Sequence, residues 1–173
     1  MKNKTGVLTL NALFTAFSVI FMYIGTVSPR GSAGFMAIAS LFTAAAVIQC
    51  GRISGICVFA ASSVIGLLFL PDKTPAMFYL LFLGYYPVVK SVCERLRKPV
   101  FSWIIKLAVF NAALTAMFVF FRALLSLGFM EKLTGAGLCA AVYLIFNAVF
   151  ILYDIGLSRL IGLYMGRIYN KLK

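Results

Sequence analysis

Six long apolar runs in this 173-residue sequence restrict the folds that it can adopt. A helix needs about 20 mainly apolar residues to cross about 30 Å of hydrocarbon, where its backbone amides must be paired within the segment itself. Hydrophobic residues make up 63% of the chain and charged residues 12%, which is more apolar surface than a soluble domain of this size can bury. The sequence therefore predicts an all-α integral membrane bundle of six transmembrane helices: Leu8–Val27, Ala33–Gln49, Ile53–Leu70, Thr74–Val92, Ser102–Leu127 and Gly137–Leu157.

Short polar or charged breaks separate the runs, among them Ser28-Pro29-Arg30-Gly31 and Pro71-Asp72-Lys73. None of these breaks is long enough to form a further domain, so residues 1–173 are predicted to form a single transmembrane domain. Residues 158–173 keep apolar positions between basic ones, which predicts a basic interfacial tail on the cytoplasmic side.

The formal net charge of +12 would favour nucleic-acid binding in a soluble protein. Here the basic residues fall between the apolar runs, which indicates membrane orientation and contact with lipid headgroups and no nucleic-acid partner. With the amino terminus inside, twelve of the sixteen basic residues are cytoplasmic, Lys90 and Lys106 among them. The outer side holds Arg30, Lys73, Arg122 and Lys132. Because lysine and arginine accumulate on the cytoplasmic side, both termini are predicted to be cytoplasmic.

The residue types needed for most site chemistry are scarce in this sequence. It has no histidine, its four cysteines show no C-x-x-C spacing, and it contains no phosphate-binding G-x-x-x-x-G-K-[ST] loop. Asp154 is the one carboxylate within a predicted span, which leaves no acid–base pair for a lipid-modifying enzyme. We therefore expect no catalysis, no cofactor and no metal.

Polar side chains recur along one face of each of the last three predicted helices. Spacings of four and seven residues place side chains on the same face of a helix. These polar faces are Tyr79, Tyr86 and Lys90 on the fourth span, Asn111, Thr115 and Arg122 on the fifth, and Tyr143, Asn147, Asp154 and Ser158 on the sixth.

Two interpretations of these polar faces remain open. They supply hydrogen bonds between helices, or their outer halves line a solute cavity with Tyr79, Arg122 and Tyr143 at its mouth and Asn147 near mid-membrane. Tyrosines suit an aromatic solute, and Arg122 would either pair with a carboxylate or phosphate or extend to the outer headgroups. Lys90 and Asp154 would form an ion pair if the fourth and sixth helices are neighbours.

Alanines four residues apart, Ala12 and Ala16, lie early in the first span. Together with six spans in under 200 residues and cytoplasmic termini, this motif resembles the substrate-binding S components of energy-coupling factor (ECF) transporters. The resemblance implies a bacterial plasma-membrane protein that captures a vitamin-like organic solute from outside. It also implies docking, through Ala12 and Ala16, on an ECF transmembrane coupling subunit that works with an ATPase pair. Metal-ion members of the family rely on amino-terminal histidines, which this sequence lacks.

A second class of function also fits the pattern. Rod-shape-determining MreD proteins are similarly small and have a similar number of spans, so the chain also resembles a non-catalytic membrane scaffold. In that case the polar faces would serve packing and partner helices, and no solute would raise the melting temperature.

Overall fold

A computed structural model describes residues 4–28, 31–94, 99–124 and 136–167, with the backbone alone at residues 99, 120–124, 136–139 and 167. Helical segments make up nearly all of the described chain. They are α1 (Lys4–Val27), α2 (Ser32–Cys50), α3 (Arg52–Phe69), α4 (Lys73–Phe78), a π-helical turn (Tyr79–Leu83), α5 (Tyr86–Cys93), α6 (Pro99–Leu124) and α7 (Ala136–Arg167).

Helices α1, α2 and α3 form the closely packed first half of the bundle. A single residue, Gly51, joins α2 to α3 with φ +95°, a left-handed conformation that favours glycine. Small side chains let the helices approach closely, and Ser18 of α1 donates a 3.0 Å hydrogen bond to the backbone carbonyl of Ala39 in α2. Phe14 and Val58 pack beside them in the interior.

The fourth span is broken rather than continuous. Asp72 caps α4 by accepting a 2.9 Å hydrogen bond from the Thr74 amide, which also lowers the pKa of the Asp72 carboxyl. After one π turn, Pro87 lies in the first turn of α5, where its missing amide proton leaves no helical hydrogen bond unmade. The break therefore lies before Pro87, between the π turn and the start of α5 at Tyr86.

Helices α6 and α7 pack against the π turn and α5 through large side chains. Phe110 and Phe150 stack with ring centroids 4.3 Å apart, and Tyr86 meets Phe150 edge-on at 5.0 Å. Phe82 contacts Phe110 from the π turn, with centroids 5.5 Å apart. This aromatic core joins the broken span to the last two helices.

The outer faces of the bundle are strongly apolar. Leu8 is 70% exposed, Phe69 77% and Leu152 71%, surfaces that water would disfavour and lipid would cover. Within the described residues, six helical segments are long and apolar enough to cross a membrane, with α4, the π turn and α5 together forming the fourth. The predicted fold class is confirmed.

The last helix is longer than the predicted span. It was expected to cross the membrane from Gly137 to Leu157, and it runs on without a break to Arg167. Thirty-two residues at 1.5 Å each extend about 48 Å, well beyond the hydrocarbon thickness. The first part of the predicted tail therefore continues the helix, and residues 168–173 lie outside the described part of the chain.

Candidate functional site

A buried group of charged side chains joins α5, α6 and α7. The Asp154 carboxylate lies between Lys90 and Lys106, and all three residues are at most 5% exposed. Lys90 forms a direct ion pair with Asp154 Oδ1, while Lys106 Nζ lies 3.2 Å from Oδ2 and 3.3 Å from Oδ1. The Tyr86 hydroxyl donates to the same Oδ1 at 2.5 Å. The carboxylate thus binds two cations and one phenol, and we name these four residues the Asp154 cluster.

The two lysines of the Asp154 cluster have further partners. Lys90 Nζ donates to Ser158 Oγ at 2.6 Å and lies 3.1 Å from Glu94 Oε1. Lys106 Nζ lies 3.7 Å from the same Glu94 oxygen and 5.5 Å from the centre of the Trp103 ring. Two carboxylates therefore balance two ammonium groups. The Glu94 side chain is 51% exposed, so the charged network reaches the protein surface there.

Each cluster residue is placed by its helix. Lys90 lies in the last turn of α5, Lys106 about two turns into α6, and Asp154 just past the middle of α7. The break in the fourth span sets the direction of α5. Gly84 closes the π turn by donating its amide to the Tyr79 carbonyl at 2.7 Å. A methyl group on Gly84 would come within 2.7 Å of the Phe59 and Tyr79 rings, so the close approach requires glycine.

The predicted pairing of Lys90 with Asp154 is found, but Lys106 was missed as a third member. It was assigned to the cytoplasmic surface by charge alone. The sequence did contain a signal for its burial. Lys106 lies within the predicted fifth span, four residues before buried Phe110 and eight before buried Leu114. A lysine at that spacing lies on the buried face of the helix.

Tyr79 lies in the first half of the bundle, away from the other predicted solute contacts. Its side chain is fully buried, with its hydroxyl 2.8 Å from Thr43 Oγ1 and accepting a 3.1 Å hydrogen bond from Ser62. It packs with Met22 and Ala39, so it does not lie at the mouth of a solute cavity as predicted.

Tyr143 and Asn147 lie on α7 and face α6. The side-chain amides of Asn147 and Asn111 exchange two hydrogen bonds of 3.0 Å, and the Tyr143 hydroxyl lies 2.9 Å from Thr115 Oγ1. The polar faces of α6 and α7 therefore pair with each other. The side chain of Arg122 lies outside the described part of the structure, so its role stays a prediction.

Ala12 and Ala16 lie exposed on α1, where they line an open groove against α3. The groove has a volume of about 680 Å³, and Cys57 and Ala61 form part of its other wall. Within the described residues, Asn11 Oδ1 is buried at this groove without a hydrogen-bond partner. Buried carbonyl oxygens are normally paired, so this atom marks an unsatisfied position at the groove.

The described residues hold no group of three histidine, cysteine or acidic side chains positioned to bind a metal ion. The chain is a multi-pass helical membrane protein. No protein-family model, curated protein or solved structure matches it. The resemblances to ECF S components and to MreD therefore remain predictions from the sequence.

Proposed function

We propose that this chain is the substrate-binding subunit of an ECF-type importer in a bacterial plasma membrane. It captures a vitamin-like organic solute from outside and docks on a transmembrane coupling subunit and its ATPase pair, with no catalysis of its own. The observation that supports this best is the exposed Ala12 and Ala16 pair in the open groove between α1 and α3.

Small side chains at a four-residue spacing allow another helix to approach the backbone of α1 closely. Between membrane helices this contact depends on van der Waals packing and interhelical hydrogen bonds, since lipid is as apolar as the side chains. Asn11 Oδ1 lies buried and without a hydrogen-bond partner beside the two alanines. The groove thus offers the small-residue surface that close packing of a docking helix requires.

The solute is proposed to bind at the outer halves of α6 and α7, with Arg122, Tyr143 and Asn147 as contacts. Tyr143 offers a ring and a hydroxyl, and its partner Thr115 is exposed. Binding would exchange the Thr115–Tyr143 hydrogen bond for one to the solute. Tyr79 would have to leave its buried contacts with Thr43 and Ser62 to take part, so it is the weakest of the proposed contacts.

The docking surface is tested by replacing Ala12 and Ala16 together with tryptophan. The protein is coexpressed with an energising module from the same genome, and copurification is measured. We expect the module to be lost because the bulky rings fill the groove, while the melting temperature stays unchanged because both positions are exposed. Ala148→Trp changes another exposed alanine, on α7, and as the matched control it should retain the module. Retention by the double variant would contradict the proposal.

The solute is tested by a thermal-shift screen of the purified protein against vitamins and their precursors. A ligand at 1,000 times its Kd stabilises the folded state by about 4 kcal/mol, which a melting curve resolves readily. Tyr143→Phe should weaken the shift of any compound that raises the melting temperature. An unchanged response in that variant would remove Tyr143 from the site.

The membrane-scaffold function is the second candidate, and the pairing of the α6 and α7 polar faces favours it. Asn111, Asn147, Thr115 and Tyr143 form hydrogen bonds with each other, as expected for residues that hold helices together. A complete vitamin screen without a shift, combined with an altered cell shape on deletion, would support the scaffold and contradict the importer.

A further inference from the structure

A second groove lies between α2 and the final turns of α7. Ala44, Ala45 and Ile48 form one wall, and Leu160, Leu163 and Tyr164 form the other. Its volume is about 350 Å³, and its wall residues are apolar apart from the tyrosine hydroxyl. This α2–α7 groove shares no residue with the Ala12 groove or the Asp154 cluster.

Two polar contacts between α2 and α7 flank the α2–α7 groove. At one end Ser40 Oγ lies 2.6 Å from the Tyr153 hydroxyl, and at the other the Gln49 amide donates to the Tyr164 hydroxyl. Gln49 follows Ser40 by nine residue steps and Tyr164 follows Tyr153 by eleven, which correspond to about 14 and 16.5 Å along each helix. The groove is therefore apolar and runs along the two helices, so it fits part of a lipid acyl chain.

The Gln49–Tyr164 end lies at the membrane surface, because α2 ends one residue later at Cys50. A tyrosine that bonds through its hydroxyl is typical of the headgroup level. Arg159 lies four residues before Leu163, at the edge of the helix face that lines the groove, and its side chain is exposed. A basic group thus borders the groove close to the headgroup level.

Arg159 has no acidic partner among the described residues, because each described carboxylate has another partner. Asp154 and Glu94 are engaged by Lys90 and Lys106, and Asp72 caps α4 at the start of the fourth span. The fourth acidic residue of the chain, Glu131, lies outside the described part. The Arg159 guanidinium is thus free of carboxylate partners within the described residues, and a lipid phosphate is an anion present near that depth.

From the groove and the unpaired cation together, we infer that the α2–α7 groove binds one anionic phospholipid. An acyl chain lies along Ala44, Ile48 and Leu160, and the phosphate accepts hydrogen bonds from the Arg159 guanidinium. This site is independent of the proposed solute and of the docking surface, so its test leaves those proposals untouched.

The experiment is native mass spectrometry of the detergent-purified protein with phosphatidylglycerol or phosphatidylcholine of identical acyl chains. We expect one phosphatidylglycerol to be retained in preference to phosphatidylcholine. Arg159→Gln should lower phosphatidylglycerol retention about fivefold, the effect of one basic residue near the membrane surface. Lys4→Gln removes an equal charge from an exposed position outside the groove and should retain the lipid.

A second variant tests the chain-binding part of the groove. Leu163 is 57% exposed, so Leu163→Trp narrows the groove from its rim without disturbing the core, and it should also release the lipid. The proposal is overturned if both phospholipids are retained equally, if Arg159→Gln behaves like Lys4→Gln, or if Leu163→Trp keeps the lipid. A dimer that Leu163→Trp dissociates would assign the groove to a second copy of the chain and would equally overturn it.

Discussion

The Asp154 carboxylate binds two lysines inside a bundle whose other interior contacts are mainly apolar or aromatic. Removing ions from water is costly, and the mutual attraction offsets that cost only where the hydrogen bonds are complete. Here Tyr86, Ser158 and Glu94 complete them. Replacing such a network by apolar side chains of equal volume often costs no stability. The contribution of the network here is therefore to specify which faces of the helices meet. It fixes α5, α6 and α7 in one rotational setting.

Asp154→Asn should be strongly destabilising. The substitution keeps the size of the side chain but leaves Lys90 and Lys106 close together with only the half-exposed Glu94 as a counter-ion. Breaking one partner of a buried ion pair costs about 3–5 kcal/mol, which thermal unfolding in detergent would detect. Asp72→Asn is the control, because asparagine caps a helix as well as aspartate and its effect should be close to zero. Equal melting temperatures for the two variants would contradict the central role of Asp154.

Tyr86→Phe and Tyr153→Phe form a matched pair. Both remove one phenolic hydroxyl and keep the ring, but the Tyr86 hydroxyl donates to a carboxylate and the Tyr153 hydroxyl meets neutral Ser40. Hydrogen bonds to charged groups contribute about 1.5–3 kcal/mol and neutral ones about 1 kcal/mol. Tyr86→Phe should therefore lower the free energy of unfolding more. The reverse order in chemical unfolding curves would mean that Tyr86 does not donate to an ionised Asp154.

At the scale of single elements, the broken fourth span depends on one glycine. Gly84→Ala places a methyl group 2.7 Å from the Phe59 and Tyr79 rings, which must move and disturb α5 and Lys90. We expect a loss of about 1–3 kcal/mol, the usual cost of overpacking. Gly162→Ala meets no atom within 4 Å and should be neutral or stabilise α7 by up to about 1 kcal/mol. Gly84→Ala should thus lower the melting temperature while Gly162→Ala leaves it unchanged or raises it, and equal shifts would exclude the close approach at Gly84.

The α6–α7 contact can be tested by a double-mutant cycle on Asn111 and Asn147. Each single change to leucine breaks both reciprocal hydrogen bonds and leaves one amide without its partner, at a cost of about 0.6–2 kcal/mol. The double variant removes both amides, so it should be no less stable than the worse single variant. Additive losses in unfolding experiments would show that the two amides act independently, against the observed pairing.

The elements themselves were predictable from the sequence, and their interruptions and neighbours were not. Apolar length predicts a span because hydrocarbon thickness is fixed, so all six spans were found. Their ends lie within about four residues of the predicted ones, except that the last helix runs ten residues past Leu157. The π turn at Tyr79–Leu83 depends on ring contacts with Phe59 in another helix, which no local pattern contains. The partners of Asn147 likewise depend on helix adjacency. Helical phase predicts the face of the helix on which a side chain lies. Only the packed structure shows which side chains of other helices it contacts.

At the scale of the whole molecule, the charge distribution separates into a buried part and a surface part. Lys90 and Lys106 belong to the Asp154 cluster, so they carry no information on orientation. Without these two, ten basic residues remain on the predicted cytoplasmic side against four on the other. The bias that favours cytoplasmic termini therefore persists after the structural correction. The same surplus of unpaired positive charge is what makes an anionic lipid at Arg159 favourable.

Membrane orientation is tested by cysteine labelling of intact cells. In a variant with the four native cysteines replaced by alanine, single cysteines are placed at exposed positions 4 and 72, on opposite ends of the bundle. A membrane-impermeant maleimide should label Asp72→Cys from outside and Lys4→Cys only after permeabilisation, because basic residues concentrate at the cytoplasmic end. The reverse pattern would place the Asp154 cluster and Arg159 at the outer face. It would also separate the α2–α7 groove from the anionic cytoplasmic leaflet. This one measurement therefore determines on which side of the membrane each of the two proposed binding surfaces lies.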